Sequence, residues 1–382
     1  MCGKCKVGVH LKIGKDHKIL NINDIGKQED TIIFSEVLCE EHSNQACCLF
    51  CNTCNKFICL KCTTKFHNGH ELIEEEDYNK GKVELKPKKK IEIKLEIFKE
   101  YTTDLTYIQF IAVCSDGSMW MGDSLKSKLQ HVKLRENRTE VITSINTKIN
   151  GMAKTHSNNI LVTTTGETKL KLINTMTWEI TDTRYDVKPL YPTCIHVTRD
   201  HRVIIGAWSG GKVFPATGRS VVVVMDQEGK QLQEYEHDKH TKGLFTYPGR
   251  VTCTSNGNIC VVDLLDKDGR GRVVVLSPGG DILGTYTGHP DVNTEEKPFI
   301  PIGILTTPSD NIVVTDMNNH LLHILTIQGQ SITYYNLHDM DILHPYSLDL
   351  STSGTIFIGC VNKTNSPDTT KAKLYELKFS GF

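Results

Sequence analysis

A chain of 382 residues with 44 Lys and Arg against 45 Asp and Glu carries a formal net charge of −1, so no global field draws it to nucleic acid or to an anionic membrane. The composition is that of a soluble globular protein of one large or two modest domains, and no apolar run is long enough to span a bilayer. The start does not look like a signal peptide, so the 14 cysteines point to metal ligands and free thiols in a reducing, cytoplasmic setting, not to disulfides.

The chain opens on CGKCKVGVHLKIGKDH, where Cys2 and Cys5 form a C-x2-C pair followed by His10 and His17. Four such donors can close one zinc site. Residues 18–38 form a mixed linker, with a short helix expected near Asp30–Val37. The stretch from Cys39 to His70 then places eight donors in four short pairs: Cys39 and His42, Cys51 and Cys54, Cys59 and Cys62, His67 and His70. Two residues between ligands let a tight turn aim both side chains at one ion. Eight thiol and imidazole donors fill two tetrahedral Zn2+ sites and leave no position for water, which is the signature of structural zinc. Cys47 and Cys48 fall outside the pairs and read as packing or solvent thiols.

Spacing leaves two pairings open. Consecutive pairing would crowd Cys59, Cys62, His67 and His70 around one ion; interleaved pairing would join Cys39, His42, Cys59 and Cys62 at one and Cys51, Cys54, His67 and His70 at the other. The order C-x2-H, C-x2-C, C-x2-C, H-x2-H resembles the type-2 B-box of tripartite-motif proteins, and that resemblance implies the interleaved cross-brace. Residues 2–17 in turn are similar to the second half of a type-1 B-box whose first ligand pairs are missing. This implies a partial metal site and points to a truncated product or splice form, with a RING domain lost upstream.

An acidic run, Glu74–Asp77, and a basic one, Lys86–Lys90 around Pro87, read as a solvated linker over residues 76–90. The coiled coil that follows a B-box in full tripartite-motif proteins is not expected, because heptads are missing and Pro87 would break one.

From residue 91 to 382, short β-branched and aromatic runs alternate with polar turns. The turns SDGSMW, SNNILV, RDHRVI, SNGNIC, SDNIVV and TSGTIF recur, and the apolar residue after each is Met119, Ile160, Val203, Ile259, Ile312 or Ile356. A spacing of about 40–55 residues is that of a four-stranded propeller blade. Six turns predict six blades. IEIKLEIFKEYTT, residues 91–103, is expected to supply the outer strand of the last blade by pairing with Lys371–Phe379. The fold class is therefore mostly β: a partial type-1 B-box over 1–20, a type-2 B-box over 34–75, the linker, and a closed six-bladed propeller. Period, turns and domain order resemble the NHL-type propeller of tripartite-motif proteins; the Trp-Asp dipeptides of a WD40 propeller are missing. Five further cysteines, Cys114, Cys194, Cys253, Cys260 and Cys360, read as isolated buried thiols.

Among the expected inner strands Asp349 is the only acidic residue and Asn150 could add an amide, a poor cage for a catalytic cation. His196 and Arg250 read as partly buried channel residues. No catalytic residue is assigned, and the chain by itself is expected to be no enzyme. Protein capture on the disc face is the leading expectation, with Trp208, Phe214, Arg219 and Tyr247 as anchors, since aromatic and Arg residues dominate interface energetics. The family resemblance implies a part in RING-type E3 ubiquitination, although no RING ligand set is present. A third reading is single-stranded RNA on Lys239, Lys242, Tyr247, Arg250 and the segment Asp266–Arg272. A monomer with no membrane or small-molecule partner is expected.

Overall fold

The computed structural model describes residues 10–11, 18–19, 33–39, 42, 45–52, 56–65, 67, 70–79, 94–215, 217–362 and 370–380, in two units, Met1–Ile91 and Glu92–Phe382. In the first, β1 (His10–Leu11) pairs antiparallel with β2 (Lys18–Ile19). Within the zinc segment, β3 (Leu49–Cys51) takes β4 (Lys56–Ile58) on one side and β5 (Leu72–Ile73) on the other. Helix α1 (Leu60–Lys65) follows β4, and α2 (Glu75–Asn79) follows β5. The helix expected near residues 30–37 is a single 3-10 turn, Phe34–Glu36.

So short a segment cannot enclose a sizeable apolar core, and what it buries is mostly thiol: Cys39, Cys47, Cys51, Cys59 and Cys62 around Ile58. An aromatic cluster lies beside them. The Tyr78 ring sits 4.7 Å from Phe50 and 5.5 Å from both Phe34 and Phe57, at the tilted and edge-on angles that ring quadrupoles favour. Tyr78 lies on α2, so the segment expected to be solvated linker from residue 76 is ordered through Asn79. The physical reason is one aromatic anchor within the acidic run, reinforced by Glu75 Oε2, which accepts the Phe34 amide at 2.7 Å. The basic run Lys86–Lys90 lies outside the described residues.

The second unit opens on β6 (Lys94–Thr102) and continues as antiparallel sheets of consecutive strands. The first run is β7 (Phe110–Val113), β8 (Met119–Asp123), β9 (Lys128–Arg135) and β10 (Arg138–Asn146). The second is β11 (Ile149–Lys154), β12 (Ile160–Thr164), β13 (Lys169–Ile173) and β14 (Ile180–Asp186). The third is β15 (Tyr191–Val197), β16 (Val203–Trp208), β17 (Ser220–Met225) and β18 (Gln231–Tyr235). The fourth is β19 (Pro248–Cys253), β20 (Ile259–Leu264), β21 (Gly271–Leu276) and β22 (Ile282–Tyr286). The fifth is β23 (Pro301–Thr306), β24 (Ile312–Asp316), β25 (Leu321–Leu325) and β26 (Ser331–Asn336). Last come β27 (Pro345–Leu350), β28 (Ile356–Cys360) and β29 (Lys373–Ser380).

Each second strand starts on the apolar residue that follows a repeated turn, from Met119 through Ile356. The turns permit it: Gly117 has φ +79° and Asn158 φ +65°, the left-handed conformation that Gly and Asn tolerate. Burial follows position within the sheet. Second strands such as β8 and β24 are buried along their whole length, whereas the outer strands β10 and β14 are largely exposed or alternate. A strand buried on both faces needs apolar residues throughout, and an outer one does not.

Strand β6 pairs antiparallel with β29 from Lys94 opposite Ser380 to Thr102 opposite Lys373. Through one parallel pair to β10 it links the last run to the first in a sheet ordered β27-β28-β29-β6-β10-β9-β8-β7. Tyr101 anchors it, fully buried, with its hydroxyl donating to Glu376 Oε2 at 3.0 Å. The first strands neighbour one another in the order β7, β11, β15, β19, β23, β27, and β27 neighbours β7. A further device had no sequence signal: buried Asp123, the last residue of β8, and Asp263, the last but one of β20, accept the Thr106 and Tyr107, or Thr246 and Tyr247, backbone amides. Asp316 does the same for Ile300.

Candidate metal centre and propeller face

Turns bring the zinc ligands together. The Cys62 amide donates to the Cys59 carbonyl at 2.9 Å, the His67 amide to Cys62 at 3.2 Å, and the His70 amide to His67 at 3.1 Å. Ligand atoms of Cys39, His42, Cys59 and Cys62 all lie within 4.8 Å of one another, and so do those of Cys51, His67 and His70. This grouping is the interleaved one. Cys54 lies outside the described residues, as do Cys2, Cys5 and His17; of His10 only the backbone is described, in β1.

Distances within the first group test the fit to a metal. Cys39 Sγ is 3.5 Å from Cys62 Sγ, and Cys59 Sγ 3.8 Å from Cys62 Sγ. His42 Nδ1 lies 3.7, 3.4 and 3.2 Å from the sulfurs of Cys39, Cys59 and Cys62. Zinc–sulfur bonds of about 2.3 Å give a tetrahedron with sulfur–sulfur edges of about 3.8 Å, whereas a disulfide would need about 2.05 Å. The donors therefore have zinc spacing. Desolvation and the neighbouring thiols of Cys39 and Cys59 push the Cys62 thiol up to about 12. Thiols so packed cannot ionise together without a cation among them. Cys51 Sγ and His70 Nδ1, 3.6 Å apart, begin the second set. Both sets suit structural zinc.

In the second unit the structure brings three of the four expected anchors together. The Trp208 ring, at the end of β16, lies 5.6 Å from Tyr247, and Phe214 lies 6.2 Å from the same ring. All three are half-buried. Arg219 is drawn aside: its guanidinium bonds Glu234 at 2.6 Å and Glu236 at 2.7 Å. The arginines of the 266–272 segment are likewise paired, Arg270 with Asp266 at 3.8 Å and Arg272 with Asp263 at 2.9 Å.

A central cavity of about 260 Å³ is lined by residues of all six first strands, including Lys154, His196, Arg250 and Asp349. Asp349 has both oxygens engaged, by the Val113 amide at 2.7 Å and the Leu350 amide at 2.8 Å. Asn150 Oδ1 accepts from Thr165 at 3.0 Å. Cys253, expected as an isolated buried thiol, is partly exposed, with its sulfur 3.3 Å from His196 Nε2. Burial lowers that imidazole to about 4, so it is neutral. The two residues lie on β15 and β19, and only the pairing of neighbouring sheets brings them together. Cys114, Cys194, Cys260 and Cys360 are buried. No described helix is long and apolar enough to cross a membrane.

Residues 35–74 match the B-box zinc finger family. No curated protein sequence matches the chain. Among solved structures, the chain is similar to the PQQ-bound aldose sugar dehydrogenase of Streptomyces coelicolor at 9% identity and TM-score 0.54, covering 76% of this chain and 99% of that one. A candidate gluconolactonase matches at 14% identity and TM-score 0.52, over 75% and 93% of the two chains. The WD40 β-propeller domain of Doa1 matches at 12% and 0.48, over 74% and 97%. At such identities the first two likenesses speak of fold alone. Sequence, site geometry and fold together make this chain a B-box zinc finger followed by a β-propeller.

Proposed function

We propose that this protein is a non-catalytic adaptor of the tripartite-motif type, in which two zinc ions hold the B-box and an NHL-like six-bladed propeller captures a protein partner. The pairing of β6 with β29 supports reading the eight-stranded sheet as the first and last blades of a closed ring. The observation that supports capture is the Trp208, Phe214 and Tyr247 cluster, three half-buried rings on the 208–219 loop and the strand connection beside it. Half-buried aromatic rings offer area at small entropic cost, and loops on a rigid scaffold are where recognition concentrates. Pairing of Arg219, Arg270 and Arg272 with carboxylates takes those three cations away from a phosphate backbone.

The test is a comparison of binding partners captured by the full chain and by its Trp208→Ala variant at equal Tm. A specific partner retained by the first and lost by the second supports the reading; identical capture overturns the assignment of this cluster. Chain formation by the purified protein in an autoubiquitination assay would replace the adaptor with a ligase. Salt-dependent retention of single-stranded RNA on a filter would replace it with an RNA reader.

A further inference from the structure

Arg250 lies on β19, and its guanidinium reaches across the central channel. One Nη donates to the Gly249 carbonyl at 2.9 Å and the other to the Gln109 carbonyl, just before β7, at 3.0 Å. The Phe110 ring lies 4.5 Å beneath it and the Tyr346 ring 5.9 Å away. It lines both the inner cavity of about 260 Å³ and a second one of about 200 Å³. The second cavity is also lined by Tyr247, Tyr346, Ser124 and Asn150, and contains no Asp, Glu or Lys in its wall.

Two features of this mouth are unusual. A guanidinium is always charged and has five N–H donors; here carbonyls take two of them, and among the described residues no carboxylate pairs with it. The carboxylate that shares the inner cavity with it, Asp349, accepts the Val113 and Leu350 amides and forms no ion pair with it, and Asp123 and Asp263 are likewise committed to backbone amides, Asp263 also to Arg272. A half-buried cation without a counter-charge pays for its desolvation unless an anion completes it. The two carbonyl bonds and the Phe110 ring beneath it hold the guanidinium in place in advance, and its remaining N–H donors can take a carboxylate. Burial raises the Tyr247 hydroxyl to about 12, so it remains a donor at neutral pH.

We propose that this channel mouth is a receptor for one carboxylate, the Asp or Glu side chain of the protein partner, with Arg250 as its charge partner. The inference rests on the capture reading above, since Tyr247 lines the mouth and also touches Trp208 and Phe214. The partner segment is thus an acidic residue flanked by apolar ones: the carboxylate enters the mouth while its neighbours lie on the aromatic rings. Size separates a side chain from a nucleotide. About 200 Å³ is below the roughly 300–1,000 Å³ of pockets that enclose drug-sized ligands, so a single carboxylate side chain fits where a nucleotide does not.

The experiment titrates the full chain with acetyl-Leu-Glu-Leu-amide and acetyl-Leu-Gln-Leu-amide by NMR. The Glu peptide is expected to bind, and the Gln peptide to bind at least about tenfold more weakly, the scale of a charge-assisted pair. Arg250→Gln should abolish that preference and Arg250→Lys should weaken it, while Arg135→Gln, an exposed cation on β9, should leave it unchanged. Equal binding of the two peptides, including no binding of either, overturns the proposal without reference to any variant that might unfold. So does displacement of the Glu peptide by inorganic phosphate or decauridylate at lower concentration than by free glutarate, which would make the mouth a phosphate receptor. If the two peptides bind alike while Trp208→Ala still loses the captured protein, the carboxylate receptor fails and the capture reading stands.

Discussion

Cys59 lies where β4 gives way to α1, with its sulfur 3.4 Å from His42 Nδ1 and 3.8 Å from Cys62 Sγ. Cys59→Ser removes one of four donors from a set whose other members are buried and packed together. The B-box is then expected to lose its folded structure while the propeller keeps its own, because the two are separate units. Zinc content per chain should fall by at least one, and limited proteolysis should release the propeller intact; full zinc occupancy with an unchanged digest would contradict this. The ligands were legible in the sequence because a C-x2-C or H-x2-H pair is a local turn, set within four residues. Arg250 and His196 could be placed in the channel, but the partners of Arg250 and the Cys253 and His196 contact could not. Their partners come from other sheets, at separations of 141 and 57 residues, and no local pattern records which strands become neighbours.

At the scale of elements, each second strand could be placed to the residue, since a polar turn, with Gly or Asn in five of the six, is followed by an apolar run whatever lies outside it. The outer end of the B-box was harder to see. A run of glutamates looks like solvated chain, and only Tyr78, packed on three Phe rings, shows that it folds. The buried aspartates escaped notice for a related reason: a single acid at the end of a strand resembles a turn residue until the amides it accepts are in view. Strand β6 tests the ring reading most directly. Deleting residues 91–103 would leave β29 without its partner and is expected to lower Tm sharply. Tyr101→Ala, the milder change, should cost about 3–5 kcal/mol, the range for truncating a buried aromatic. A wild-type Tm in the deletion variant would refute closure.

For the whole molecule, stability has two separate sources. The propeller buries apolar clusters between sheets, whereas the B-box has mostly thiols to bury. Structural zinc in small domains contributes about 10–16 kcal/mol apparent at neutral pH, far more than so short a segment gains from its core. Chelation should therefore abolish one thermal transition and leave the other in place; a single transition lost in full, or none, would argue against that division.

The seam between β6 and β29 has a mechanical consequence. Because the pair is antiparallel and sets Lys94 against Ser380, tension applied to those two residues would load the hydrogen bonds one at a time from that end, as a zipper opens, and not all together as in shear. Pulled through the linker and the tail, the wheel should open at this joint at low force, before any other sheet yields. Stretching of single molecules held at residues 94 and 380 would show a first extension about the length of one strand.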